Sequence, residues 1–213
     1  MKVVLENYMG SDLDVVNIAR VSFNKESLEL DRRDIKLIGY LAKHGHWTPF
    51  AHVQLRFKLQ APIFVARQLM KHQVGLVWNE VSRRYVDDGM TFHAPEGWRK
   101  RADNVKQGSQ LECIENDTPI FKAYWDYIQK GVELYNYMIE KGASPEQVRM
   151  VLPISLNTEW VWTGSLVAFQ RVIQLRTSPT AQYETKQLVE QMDALISGID
   201  ELKHSWGSLR AQD

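Results

Sequence analysis

His52-Val53-Gln54-Leu55-Arg56-Phe57-Lys58-Leu59-Gln60 alternates apolar and polar side chains, with Val53, Leu55, Phe57 and Leu59 set against Gln54, Arg56 and Lys58. A period of two is the pattern of a β-strand with one buried face. Its surroundings follow the helical period instead. Upstream, Ile35, Ile38 and Leu41 recur at helical spacing over 31–44 before Gly45 ends the run. Ser11-Asp12-Leu13-Asp14 is a capping-type start for a helix through residue 19, and Val3 to Leu5 read as a short strand. Downstream, Pro62 suits the first turn of a helix reaching about residue 72. Residues 75–80 then read as a loop and 81–86 as a strand.

The remainder is mainly helical. Residues 87–117 are polar, with Gly, Pro and the Lys100-Arg101 pair, and a segment of that length reads as a functional lid or a partly ordered loop. A long amphipathic helix is expected over 117–142. Ser144-Pro145-Glu146-Gln147 reads as a capping box with proline at the first helical position. Two more helices are expected over 165–175 and 180–203; in the second, Leu188, Met192, Leu195, Ile199 and Leu202 step by four and three, the spacing of a packing seam. No internal repeat or linker divides the chain. The expectation is a single domain over 1–213, of mixed α+β class, with a helix-rich second half.

Composition narrows the function. The chain has 213 residues, 44% hydrophobic and 24% charged, which excludes disordered and collagenous classes. Lys and Arg total 26 and Asp and Glu total 26, so no bulk cationic field exists to bind nucleic acid without sequence preference. The one cysteine, Cys113, cannot form an intramolecular disulfide or a cysteine-based structural zinc site. Met1-Lys2-Val3-Val4-Leu5-Glu6 meets a glutamate before a signal-peptide core could form, and no apolar run approaches the ~20 residues of a membrane span. A cytoplasmic protein with no membrane partner is expected.

The densest polar cluster is Arg67-Gln68-Leu69-Met70-Lys71-His72-Gln73 followed by Asn79-Glu80-Val81-Ser82-Arg83-Arg84-Tyr85. On one continuous helix Gln68, Lys71 and His72 would share a face and offer amide, ammonium and imidazole groups to an anionic ligand. The run ending at Tyr85 adds a carboxylate, a hydroxyl, two guanidiniums and a phenol, a mixture suited to a polar heterocycle carrying a phosphate. The same residues read equally as a solvated helix end with scattered charges.

A second cluster, His44-Gly45-His46-Trp47-Thr48-Pro49-Phe50-Ala51-His52, lacks the acid and the HExxH-type spacing of a metal site. No metal is expected; aromatic and threonine contacts to a planar ligand fit better. Arg171 and Arg176 are five residues apart, about 140° around a helix, and should serve different neighbours. Nucleophile motifs are absent: no GxSxG, Walker A or GxGxxG occurs. Cys113 lies between Glu112 and Glu115, whose charge works against a thiolate. Any enzyme here must use a cofactor or electrostatics.

Together these residues resemble the flavin-dependent thymidylate synthases, whose signature is RHR, a seven-residue gap and Ser, extended as NExSxRY. Lys71-His72-Gln73 stands at the triplet and Asn79 to Tyr85 at the extension. His46-Trp47-Thr48-Pro49-Phe50, Gln60-Ala61-Pro62-Ile63-Phe64-Val65-Ala66-Arg67-Gln68, Arg149-Met150-Val151-Leu152-Pro153, and Leu175-Arg176-Thr177 with Ala181-Gln182-Tyr183-Glu184 resemble further segments of that family, over about residues 2–190.

The resemblance implies conversion of dUMP to dTMP, with methylenetetrahydrofolate as carbon donor and FAD reduced by NADPH, in a homotetramer whose active sites draw on several chains. It places Lys71, His72, Gln73, Ser22, Thr48 and Ser165 at FAD-contacting positions. Gln68, Glu80, Ser82, Arg83, Arg84 and Arg149 fall at dUMP-binding positions. Arg176 matches the arginine that contacts and activates the uracil, and His46 a histidine beside flavin and folate. Ser82 is read as a hydrogen-bond partner of the phosphate, since no base stands beside it in sequence to make it a nucleophile.

Departures bear on the flavin more than on the nucleotide. KHQ for RHR removes two guanidiniums, the gap to Ser82 is eight residues, and Ala51, Ser165 and Arg171 replace an acid and two asparagines. Arg171 could restore a cation lost from the triplet and is assigned to cofactor binding. Two alternatives accompany this reading: a flavin-dependent dUMP hydroxymethylase on the same scaffold, and a non-catalytic nucleotide- or RNA-binding relative.

Overall fold

The structure is a computed structural model and describes residues 1–86, 89–103, 108–115 and 118–211. Strand β1 (Lys2–Met9) leads into helix α1 (Asp12–Arg20), whose N-cap is Ser11: its hydroxyl accepts from the Asp14 amide. Helix α2 (Arg32–Lys43) begins with a full capping box between Asp31 and Asp34 and ends before Gly45, which has φ +67°. A single turn, α3 (Thr48–Ala51), precedes β2 (Gln54–Pro62), the strand expected from the alternation.

Helix α4 (Ile63–Leu69) is shorter than its pattern suggests. Pro62 is its N-cap and the last residue of β2, and the chain turns at Met70 and Lys71 before His72. The shared helical face expected for Gln68, Lys71 and His72 therefore does not exist as such. Strand β3 (Leu76–Glu80) occupies the stretch read as a loop, and the expected strand at 81–86 is a turn. The reason is pairing: β3 lies along a neighbouring strand, and its register ends at Glu80.

Within the expected lid, β4 (Arg99–Arg101) and β5 (Ser109–Cys113) form a hairpin. Residues 87–88, 104–107 and 116–117 of that segment lie outside the described residues, among them residue 117, where the long helix was expected to start. Helix α5 (Thr118–Glu140) buries only Ile128 and Tyr135 and exposes Ile120, Trp125, Tyr127, Leu134 and Tyr137. Helix α6 (Pro145–Val148) starts at Ser144 without a side-chain cap bond, so the capping box is not formed.

Strand β6 (Asn157–Ser165) was hidden in the helical second half. Helix α7 (Leu166–Arg176) is capped by Ser165, whose hydroxyl accepts from the Ala168 amide at 3.3 Å. The last expected helix, 180–203, stops early as α8 (Tyr183–Ser197) at Gly198; a 3-10 turn at Asp200–Leu202 follows, and a further helix, α9 (Lys203–Arg210), begins where the expected one was to end. Buried Asp12 accepts from the backbone amides of His204 and Ser205, both at 2.8 Å, and so ties α1 to the start of α9.

The sheet runs in the order β1-β2-β6-β3, antiparallel throughout. Leu55, Phe57 and Leu59 are at most 1% exposed and meet Trp160, Trp162 and Phe169; Phe169 stands edge-on to Phe57 at 5.1 Å and to Trp162 at 5.3 Å. Leu188, Met192 and Leu202 of the expected seam are buried, whereas Leu195 is exposed. Gly164 allows β6 to approach β3: a Cβ there would lie 2.6 Å from the Gly75 carbonyl oxygen and 2.3 Å from Leu76. The core thus fixes β2, β6 and β3 as a platform, with α4 and the ends of α7 and α8 over it.

Candidate active site

Two polar clefts flank α4. Ile63 at its first turn lines one, and Gln68 near its last turn lines the other, about 8 Å apart along the axis.

The first cleft, about 600 Å³, is lined by Glu80, Ser82, Arg83, Arg84 and Arg149 with Thr158. All five of these sequence-expected residues are brought together although Arg149 lies far along the chain. Their local geometry follows from the turn after β3. Glu80, the last residue of the strand, accepts from the Thr158 hydroxyl at 2.7 Å and from Trp78 Nε1 at 3.1 Å. Ser82 Oγ then accepts from the backbone N–H and Nε of Arg84, at 3.3 and 3.2 Å. Arg83 donates to the Val86 carbonyl and Arg149 to the Glu146 carbonyl at 3.1 Å. Three arginines with a hydroxyl and a carboxylate in one cleft suit a phosphorylated polyol or nucleotide.

The second cleft, about 580 Å³, carries Gln68 and Arg176 with Arg99 and Gln182. Arg176, last in α7, donates from Nε to His72 Nε2 at 3.0 Å and from its terminal nitrogen to the Gln68 carbonyl at 3.3 Å. Burial, and then the Arg176 charge, push the His72 imidazole down, so the neutral ring is the acceptor. Burial also lowers Arg176 from its usual value. Two of the five guanidinium N–H groups are engaged in this way. Arg99 pairs with Glu184 at 2.5 Å and stacks over Tyr183 at 4.5 Å.

The remaining expected residues fall elsewhere. His46 and Arg171 share a small recess of about 160 Å³, with the Arg171 guanidinium 5.8 Å from the Trp47 ring. Arg171 and Arg176 do serve different neighbours, as their spacing requires. Lys71 and Gln73 are exposed beside half-buried His72, Thr48 is exposed at the start of α3, and Ser22 sits on an exposed turn after α1. Ser165 is buried under its helix cap. Exposed Cys113 lines neither large cleft. Among the described residues no helix is long and apolar enough to cross a membrane.

A mixed α/β scaffold sets arginines and amides around two polar clefts, with a neutral imidazole against Arg176, a composition that suits small phosphorylated, planar ligands. Comparison with known proteins is more specific. The thymidylate synthase complementing protein family, Thy1, matches residues 4–200. Flavin-dependent thymidylate synthases are 36% identical over 192 residues in Thermus thermophilus, covering 90% of this chain and 70% of the relative, and 36% identical over 187 residues in Thermosipho africanus, covering 86% and 80%. The crystal structure of the UMP/dUMP methylase PolB from Streptomyces cacaoi bound with 5-Br dUMP superposes with a TM-score of 0.88 at 27% identity, covering 99% of this chain and 94% of that one. The chain belongs to the flavin-dependent thymidylate synthase family and is an enzyme of that family.

Proposed function

We propose that the chain methylates dUMP to dTMP, with methylenetetrahydrofolate as carbon donor and FAD reduced by NADPH, and releases tetrahydrofolate. The observation that carries the reading is the junction of Arg176, His72 and Gln68, where the residues read as a uracil-activating arginine, a flavin-loop histidine and a nucleotide-binding glutamine are hydrogen-bonded together and Arg176 and Gln68 line one cleft.

The loop after α4 fits a planar, phosphate-bearing cofactor. Gly75, at φ +75°, passes close over the start of α7, where a Cβ would meet Ala168 at 3.2 Å and Ser165 Oγ at 3.4 Å. Lys71 supplies charge and Gln73 an amide, and His46 and Arg171 beside Trp47 offer a further aromatic and cationic face. When bound, reduced FAD supplies the hydride that completes the new methyl group.

The protein's own residues polarise and hold the substrate. Uracil C5 must act as a nucleophile toward the transferred carbon, and the Arg176 guanidinium at a ring carbonyl stabilises the enolate-like form whose negative charge makes C5 nucleophilic. His72 keeps the guanidinium oriented. Arg83, Arg84 and Arg149 hold the phosphate, Ser82 and Glu80 complete that cleft, and no thiol is needed. Gln68 and Arg176 line a different cleft from Glu80 to Arg84, and α5 exposes a row of apolar side chains; both support a homotetramer with active sites shared between copies. A single catalytic domain in the cytoplasm is the setting.

The test is the absorption spectrum of the purified protein, alone and after FAD and then dUMP. Flavin bands that appear on titration and shift with dUMP are expected; a colourless protein that takes up no flavin would overturn the reading.

A further inference from the structure

Gln68 does not choose its own amide orientation. Its Nε2 donates to Gln182 Oε1, and its Oε1 accepts from the Thr185 hydroxyl at 3.2 Å; Gln182 in turn donates from Nε2 to Glu184 Oε2 at 3.1 Å. A row of amides can run in either direction, so some member must set the sense. Glu184 does so, because a carboxylate only accepts. Its other oxygen takes the Arg99 guanidinium at 2.5 Å, with the two side chains 18% and 9% exposed. Burial works to raise the Glu184 carboxyl, but hydrogen bonds from Arg99, from its own backbone amide and from Gln182, with the Arg99 charge, hold it below the usual carboxylate range. Gln182 must therefore turn its NH2 to Glu184 and its oxygen to Gln68. Gln68 must then turn its NH2 to Gln182, and fully buried Thr185 satisfies the remaining oxygen. One N–H of Gln68 is left over at the cleft it shares with Arg176.

We propose that Glu184, paired with Arg99, is a positioning residue: through Gln182 it commits Gln68 to offering an N–H to an acceptor oxygen of the ligand. The inference rests on the dUMP reading and goes beyond it, since that reading gives neither Glu184 nor Arg99 a role. Arg99 also holds Ser109 from Nε at 2.8 Å, so the β4–β5 hairpin is the far anchor of the relay. The ligand oxygen belongs to a phosphate or a uracil carbonyl, which share the acceptor chemistry.

Calorimetric titration with dUMP and with deoxyuridine tests this. Glu184→Gln keeps the volume and an acceptor for Arg99 but lets the row reverse, and the Kd for dUMP should rise about tenfold with flavin content unchanged. Gln182→Met cuts the relay and leaves the ion pair, and should cost the same. The double variant should be no weaker than either single one, because both cut one chain. A weakening confined to dUMP assigns the oxygen to the phosphate; a weakening of deoxyuridine as well assigns it to the base. Additive penalties, or an unchanged Kd in Glu184→Gln, overturn the proposal. Wild-type protein that binds no dUMP fails the functional reading instead. The relay is then decided by melting temperatures of Glu184→Gln, Gln68→Met and their double: sub-additive losses support it and additive losses overturn it.

Discussion

Arg176 donates its Nε–H to Nε2 of His72 at 3.0 Å, which requires a neutral imidazole with its own proton on Nδ1. The arginine proposed to activate uracil is thus oriented by a ring that must stay uncharged. Protonation would turn Nε2 into a second donor facing a cation.

A pH dependence follows. The folded-state value of His72 lies below its ordinary value of about 6.5, through burial first and Arg176 second. A lowered value means that the contribution to stability is fully present above about pH 6.5 and is lost as pH falls through the folded value. His93 is lowered as well, mainly by burial, so the comparison is with His72→Gln, whose amide oxygen accepts at any pH. Thermal melts between about pH 5 and 8 should show wild type losing stability relative to that variant as acid is added; parallel curves would contradict the neutral acceptor.

The two arginines of α7 should separate by function. Arg176→Lys keeps charge but lacks the planar, spread donors that reach His72, the Gln68 carbonyl and a ligand together, and kcat/KM for dUMP should fall about 10²-fold or more. Arg171→Ala, beside Trp47, should weaken flavin retention and leave dUMP affinity nearly unchanged. Steady-state kinetics and flavin titration check both, and equal effects on dUMP would refute the separation.

Ser82 should act as a hydrogen-bonding group. Its hydroxyl accepts twice from Arg84, so Ser82→Ala should reduce kcat/KM about tenfold, the loss expected of one or two such bonds, while turnover persists. Complete abolition would make it a nucleophile.

Gly164→Ala should destabilise the sheet by about 1–3 kcal/mol, because its Cβ meets the Gly75 carbonyl and Leu76 at once. Calorimetry should record a melting temperature several degrees lower; an unchanged value would mean that β3 and β6 separate freely.

The sheet was only half legible before the structure. β2 could be read because Val53, Leu55, Phe57 and Leu59 alternate with polar residues. β6 could not, because Val161 and Thr163 on its second face are themselves strand formers, and the bulky pair Trp160 and Trp162 drew no period-two reading. The end of α4 was misplaced by three residues because nothing local stops a helix at Leu69; β3 must return to pair with β6, and that constraint is tertiary. At the site, Glu80, Ser82, Arg83, Arg84 and Arg149 could be named from the sequence, but the spatial relationships between residues could not be read there. His72 meets Arg176 by way of a turn, and Arg99, Gln182 and Glu184 join Gln68 across three separate elements. The Ala181-Gln182-Tyr183-Glu184 segment was the available signal for the last two.

The central claim is tested most directly by the product. Purified protein with FAD, NADPH, methylenetetrahydrofolate and dUMP, analysed by mass spectrometry, should yield dTMP, and Cys113→Ala should yield it at the same rate. A product one oxygen heavier than dTMP, or flavin-loaded protein that leaves dUMP unchanged, would contradict it.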